Sequence, residues 1–90
     1  MSRQRIIPIP NSIRRYRRYR HLRVRDVAER LGFLNAAHVS SWERGKKIPT
    51  LQNALRLSAV LLVPVEVLFC DYFNSLREEI EKRSTNTKTK

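Results

Sequence analysis

The chain contains only two glycines, Gly32 and Gly45, and they bracket one short segment. Gly32 follows a run of helix-forming residues, at a position where a helix C-terminus favours a residue that can adopt positive φ. Asn35 can then cap a second helix with its side chain. Gly45 and Pro49 mark the end of that helix. The segment therefore predicts two short helices joined by a tight turn.

The chain is strongly basic. It has 19 Lys and Arg residues against 8 Asp and Glu, for a formal net charge of +11, and ten of the arginines lie in the first 30 residues. Such a charge favours the phosphates of a nucleic acid or an anionic membrane surface as partner. Two short helices across a turn, in so basic a chain, suggest a helix-turn-helix that docks on double-stranded DNA.

Several other kinds of protein are not expected. No apolar run approaches the roughly 20 residues that span a bilayer, and the N-terminus lacks the apolar segment of a signal peptide, so a cytoplasmic, nucleoid-associated location is expected. The single cysteine, Cys70, excludes an internal disulfide and a cysteine-based zinc site. His21 and His38 have no carboxylate at catalytic or metal-ligand spacing. We therefore expect no enzyme activity, metal, cofactor or small-molecule ligand.

Apolar residues at helical spacing predict an all-α domain over residues 12–69. Asn11 or Ser12 is the expected cap of its first helix. The predicted helices cover residues 13–20, 24–31, 36–43, 51–62 and 64–69.

A basic arm over residues 1–11 precedes this domain, and Pro8 and Pro10 hold it extended. Its apolar residues can simply pack against the domain. Arg3 and Arg5 leave a second interpretation open, in which the arm reaches along DNA or into a minor groove.

A further helix is predicted over residues 70–83, followed by a disordered polar tail over 84–90. Its apolar residues form a seam that either mediates a homodimer or folds back on its own domain. The seam consists of Phe69, Phe73, Leu76 and Ile80.

Residues 13–69 resemble the helix-turn-helix domain of the Cro/phage-repressor type, the xenobiotic-response-element family. Two motifs carry the resemblance: Ala-Glu-Arg-Leu-Gly at 28–32 and Trp-Glu-Arg-Gly-Lys-x-x-Pro at 42–49. The resemblance implies a five-helix, lambda-repressor-like fold, here with a C-terminal helical extension. It also implies a sequence-specific DNA-binding transcriptional regulator, a repressor, that inserts helix 36–43 into the major groove.

The resemblance gives two residues a structural role. Arg17 matches the arginine of the family's first helix, and Glu43 matches the glutamate after the aromatic residue of the third. In such domains these residues form an ion pair, which ties the first helix to the end of the third. There is a physical reason for such a pair, because a partly buried carboxylate without a partner strongly destabilises the fold.

The chain departs from the family pattern at several positions. One extra residue between Gly32 and Trp42 lengthens the turn and can shift the register of the recognition helix by one. Ala36 and Ala37 stand where members often carry base-reading Gln, Arg or Ser. Leu62 replaces the glycine that ordinarily ends the fourth helix.

Two sets of DNA contacts are expected. The predicted contacts to base edges are Asn35, Ala36, Ala37, His38, Ser40, Ser41 and Arg44. Arg23 and Val24 replace the family's usual hydroxyl cap and phosphate-contacting glutamine, so an arginine has to take over that contact. The predicted phosphate contacts are Arg14, Arg23, Arg25, Lys46 and Lys47.

Two other functions remain open. The arginines of the first helix and the alanines of the third also suit a nucleic-acid-binding module without base specificity, acting on RNA, on the ribosome or architecturally on DNA. Residues 70–83 also suit an antitoxin-like DNA-binding subunit whose C-terminal helix binds a protein partner.

Overall fold

The computed structural model describes residues 8–88, with side chains for residues 8–83. Within that range the chain is all-helical, as predicted, and contains no strand. Arg3, Arg5 and most of the predicted arm lie outside the described residues. The helices are α1 (Ile13–Tyr19), α2 (Val24–Arg30), α3 (Ala37–Glu43), α4 (Leu51–Leu61), α5 (Val65–Leu68) and α6 (Cys70–Lys88).

The hydrophobic core lies where α1 to α5 meet. Each of these helices contributes a side chain that is almost completely buried, and each such burial stabilises the fold by about 1.5–3 kcal/mol. α3 packs against α1 and α2, and α2 also packs against α4, so the α2–α3 pair is held from both sides. The most deeply buried side chains are Ile13, Val27, Val39, Leu57, Leu61 and Leu68.

Two asparagines start the helices that matter most for the site. The Asn11 Oδ1 accepts a hydrogen bond of 3.1 Å from the backbone N–H of Ile13, and the Asn35 Oδ1 accepts one of 2.9 Å from that of Ala37. Asn35 therefore binds the first N–H of α3 from one residue before the N-cap position, which is Ala36, and α3 begins at Ala37 rather than Ala36. α1 and α2 each end one residue earlier than predicted.

Within the described residues, two non-glycine residues adopt the left-handed conformation. His21, between α1 and α2, has φ 58°, and Leu62, which ends α4, has φ 59°. For a residue with a Cβ this conformation costs about 1–2 kcal/mol, because Cβ approaches the following carbonyl oxygen.

The C-terminal helix is longer than predicted. α6 covers the expected residues 70–83 and continues through Lys88, so a disordered tail starting at Ser84 is wrong. No proline or glycine interrupts it. Ion pairs one turn apart also stabilise its middle part, at 3.3 Å between Arg77 and Glu81 and 3.5 Å between Glu79 and Arg83.

Candidate nucleic-acid interface

The turn between α2 and α3 accommodates its extra residue by sending one side chain inward and the next outward. The backbone N–H of Phe33 donates to the Ala28 carbonyl at 2.9 Å, and the Phe33 ring packs against the core. Its centroid lies 5.9 Å from that of Trp42, in an edge-on arrangement. The next side chain, Leu34, is fully exposed, at 102% of its reference area. The longer turn is therefore anchored at Phe33 and apolar at its tip.

Arg56 holds the same turn from the side of α4. Its guanidinium donates to the carbonyl of Leu31, which ends α2, and to the Asn53 Oδ1 at 3.3 Å. The hydrogen bond from Arg56 satisfies the Leu31 carbonyl, which has no partner within α2 itself. The sequence carried no signal for this role, because an arginine at that position reads as an exposed helix residue.

α3 presents its polar side to solvent. Val39 and Trp42 are buried in the core, as predicted. Ala36 is partly buried and packs against the core, and its predicted contact with bases stays a prediction. The remaining side chains share one face at the i, i+3, i+4, i+7 spacing. This outward face consists of Ala37, Ser40, Ser41 and Arg44.

Two members of the outward face are linked to each other. The Arg44 Nη1 donates a hydrogen bond of 3.0 Å to the Ser40 Oγ. The bond aligns the guanidinium along the helix. Arginine is the side chain that most often reads guanine in the major groove, through two parallel hydrogen bonds.

His38 lies at the edge of α3 rather than on its outward face. Its ring centroid is 5.0 Å from that of Phe33 and 6.3 Å from that of Trp42. The side chain is exposed, but it packs on these two rings. His38 therefore belongs to an aromatic cluster that supports the turn, and its predicted contact with bases stays a prediction.

The predicted ion pair between Arg17 and Glu43 is present. The Arg17 Nε donates to the Glu43 Oε2, and its Nη2 donates to the Oε1 at 3.0 Å. The third nitrogen, Nη1, donates to the Leu22 carbonyl at 2.9 Å. The two side chains are only 10% and 9% exposed. The hydrogen bonds to the carboxylate raise the pKa of Arg17 above its ordinary value, and the pair ties α1 to the last residue of α3.

The residues just before α1 clamp the end of α3. The Asn11 Nδ2 donates to the carbonyls of Trp42 at 2.9 Å and Ile9 at 3.0 Å. The Ile9 N–H in turn donates to the Gly45 carbonyl at 2.9 Å. The described part of the arm therefore packs against the domain. Sequence reasoning treated Asn11 only as a helix cap and missed its contact with α3.

The candidate phosphate contacts divide into two groups. Arg14, Arg25, Lys46 and Lys47 are exposed. Arg23 is partly engaged: its backbone N–H donates to the Asp26 Oδ2 at 2.8 Å, and its Nε lies 3.4 Å from the same oxygen. The backbone hydrogen bond lowers the pKa of Asp26, and it fixes the start of α2.

A second exposed surface lies on α6. Phe73, Leu76 and Ile80 are 49%, 41% and 64% exposed, so a large part of each side chain is open to solvent. Phe69 differs, because it is buried in the core at 8% exposure, and its predicted part in a dimer contact stays a prediction. Beside the seam, an apolar groove of about 400 Å³ separates the start of α4 from α5 and α6. Its lining includes Ile48, Leu51, Val65, Phe69, Phe73 and Leu76.

The described residues offer no other obvious site. No three of their His, Cys, Asp or Glu side chains are grouped so that they could hold a metal ion. Among the described helices, none has the length and apolar character needed to cross a membrane.

Comparison with known proteins gives one match. A family model described as helix-turn-helix matches residues 13–68, from the first residue of α1 to the last of α5. No curated protein and no solved structure matches the chain. The match thus covers the domain that carries the outward face and leaves α6 outside.

Proposed function

The chain belongs to the Cro/C1-type helix-turn-helix family, a DNA-binding regulatory family, and we propose that it is a sequence-specific repressor that inserts α3 into the major groove of double-stranded DNA. It acts in the cytoplasm on nucleoid DNA.

The observation that supports this proposal best is the outward face of α3. Ser40, Ser41 and Arg44 carry hydroxyl and guanidinium groups that match the donor and acceptor pattern of base edges in the major groove. Ala37 allows the helix to approach the bases closely. Val39 and Trp42 fix the opposite side of the helix in the core, so the outward face has one orientation relative to the domain.

Phosphate contacts supply the part of the affinity that does not depend on sequence. Lys46 and Lys47 follow α3 directly, while Arg25 lies in the first turn of α2 and Arg14 in that of α1. Each phosphate that these side chains neutralise releases a counterion, so the affinity falls steeply as salt concentration rises.

We further propose that the repressor is a homodimer that pairs through α6. A dimer would explain why Phe73, Leu76 and Ile80 are exposed beside an apolar groove. Residues 70–83 carry four acids and three bases, whereas the whole chain has a net charge of +11. Two copies can therefore approach at α6 with less repulsion than elsewhere. Two recognition helices related by symmetry would read two half-sites.

Selection from a pool of random duplexes tests the proposed function. We expect the protein to enrich one preferred sequence and to bind it at least about tenfold more tightly than a scrambled duplex at the same salt concentration. A pool in which no duplex is enriched, together with tighter binding to single-stranded or structured RNA, would instead support the module without base specificity.

The exposed seam also suits the antitoxin-like alternative, in which α6 binds a different protein. Whether the seam binds a second copy of the chain or a different protein can be told from the mass of the purified chain in solution. A second copy gives a dimer of the chain on its own, whereas a different partner leaves it monomeric.

A further inference from the structure

The lengthened turn displays an apolar side chain at the head of the recognition helix. Leu34 is fully exposed, at 102% of its reference area. Both of its neighbours are fixed: Phe33 packs against the core, and the Asn35 Oδ1 accepts the hydrogen bond that starts α3. The anchored backbone on both sides therefore holds Leu34 outward. Leu34 lies in the turn that is one residue longer than the family pattern.

Leu34 and the outward face of α3 together form a surface whose two ends differ in chemistry. Leu34 lies in the turn just before α3 and Ala37 is the first residue of the helix, whereas Ser41 and Arg44 lie at its other end. The rise from Ala37 to Arg44 is about 10 Å, which corresponds to about three base-pair steps along the duplex. The two ends would therefore meet different base pairs, the first through apolar contact and the second through hydrogen bonds.

The net charge of the segment that contains this apolar end indicates the kind of surface that it meets. Between Arg30 and Arg56 the only acid is Glu43, which is already paired with Arg17. The same stretch contains Arg44, Lys46 and Lys47 in addition to its two end residues. An apolar group within such a basic surface fits a polyanion that itself displays apolar groups. DNA is such a polyanion, and the apolar group that it displays in the major groove is the C5-methyl of thymine.

We propose that Leu34, together with Ala37, reads thymine methyl groups, so that each half-site has thymine at the base pairs that meet the start of α3. This inference rests on the proposed function, because it assumes that α3 enters the major groove. It adds a specificity-determining residue in the turn, outside the outward face of α3.

Replacing thymine by uracil in the preferred duplex tests this inference, because uracil lacks only the methyl group and keeps every hydrogen-bonding edge. We expect one or two positions of each half-site at which the substitution weakens binding about fourfold, the effect of one buried methyl group. The Leu34→Ala variant should bind the thymine duplex more weakly and should no longer distinguish thymine from uracil at one of these positions. Because Leu34 is fully exposed, the variant is expected to keep the helical circular dichroism of the wild type.

Leu55→Ala is the matched control, since Leu55 is also an exposed leucine, at 55%, but lies on α4. This control should retain the full response to uracil. The inference is overturned if no position responds to uracil, or if Leu34→Ala responds as the wild type does. A pool that yields no preferred duplex overturns the proposed function itself, and with it this inference. A preferred duplex that is indifferent to uracil overturns the inference alone.

Discussion

Arg17 of α1 and Glu43 of α3 form a two-point ion pair in which both side chains are about nine-tenths buried. The third nitrogen of Arg17 holds the carbonyl of Leu22, just before α2. One arginine thus joins the first helix, the start of the helix-turn-helix and the end of the recognition helix. The pair is placed to fix the outward face of α3 relative to the rest of the domain.

A double-mutant cycle tests this pair. Arg17→Met or Glu43→Gln alone leaves a buried group without its partner, and each is expected to lower the free energy of unfolding by about 3–5 kcal/mol. The double variant should lose less than either single one, because neither charge is left alone. Urea denaturation measures all four proteins. Strictly additive losses would show that the two residues do not stabilise each other.

Replacing Leu62 by glycine is predicted to make the protein more stable. It adopts φ 59° and is 72% exposed, so little burial is lost on substitution. Leu62→Gly should raise the free energy of unfolding by about 0.5–1 kcal/mol, since relief of the left-handed strain exceeds the entropy that glycine adds to the unfolded chain. Ala59→Gly, in the same helix, should lower it by about 1 kcal/mol. Thermal unfolding of both variants measures the difference, and a Leu62→Gly variant less stable than wild type contradicts the account.

The two glycines provide a matched pair of substitutions. Both have positive φ, 85° at Gly32 and 73° at Gly45. A Cβ at Gly32 would meet only the end of the Arg56 side chain, at 3.8 Å, whereas one at Gly45 would lie 2.5 Å from the Ile9 nitrogen. Gly32→Ala should therefore cost about 1–2 kcal/mol from backbone strain. Gly45→Ala should cost about 1 kcal/mol more, because it also breaks the hydrogen bond to Ile9. Equal losses by urea denaturation would mean that the arm does not pack against Gly45 in solution.

The proposed dimer predicts a change of mass on mutation of α6. Leu76→Asp and Ile80→Asp each place a charge on the exposed seam, and each is expected to convert a dimer into a monomer in light scattering after size-exclusion chromatography. Ser75→Asp adds the same charge to an exposed position off the seam and should leave the dimer intact. A wild-type chain that is already monomeric at high concentration would exclude this dimer and favour the antitoxin-like alternative.

Sequence reasoning predicted the buried residues of the domain better than it predicted the residues around the turn between α2 and α3. Helical spacing located the buried side chains, because burial in a helix leaves a periodic signal. The ion pair between Arg17 and Glu43 was predicted from the resemblance to the helix-turn-helix family, and no periodicity connects the two residues. The placement of Ala36 and His38 could not be predicted in this way. Both depend on how the turn folds, where Phe33 packs inward and draws the aromatic cluster around itself.

Contacts between distant segments were also beyond the sequence pattern. Asn11 bonds the end of α3 and Arg56 bonds the end of α2, each across more than 20 residues of chain. Such side-chain to backbone bonds have no fixed spacing. The length of α6 was underestimated for a different reason, since a polar segment without proline or glycine is compatible with both helix and disorder.

The ratio of the affinities for the preferred duplex and a scrambled duplex tests the central claim most directly. Fluorescence anisotropy at one fixed salt concentration gives this ratio for the wild type and for two variants. We predict a ratio of at least about ten for the wild type. Arg44→Ala should reduce the ratio, because it removes a base contact, whereas Lys47→Ala should weaken binding to both duplexes equally. A wild-type ratio near one, or an Arg44→Ala variant that keeps the full ratio, would contradict base reading by the outward face of α3.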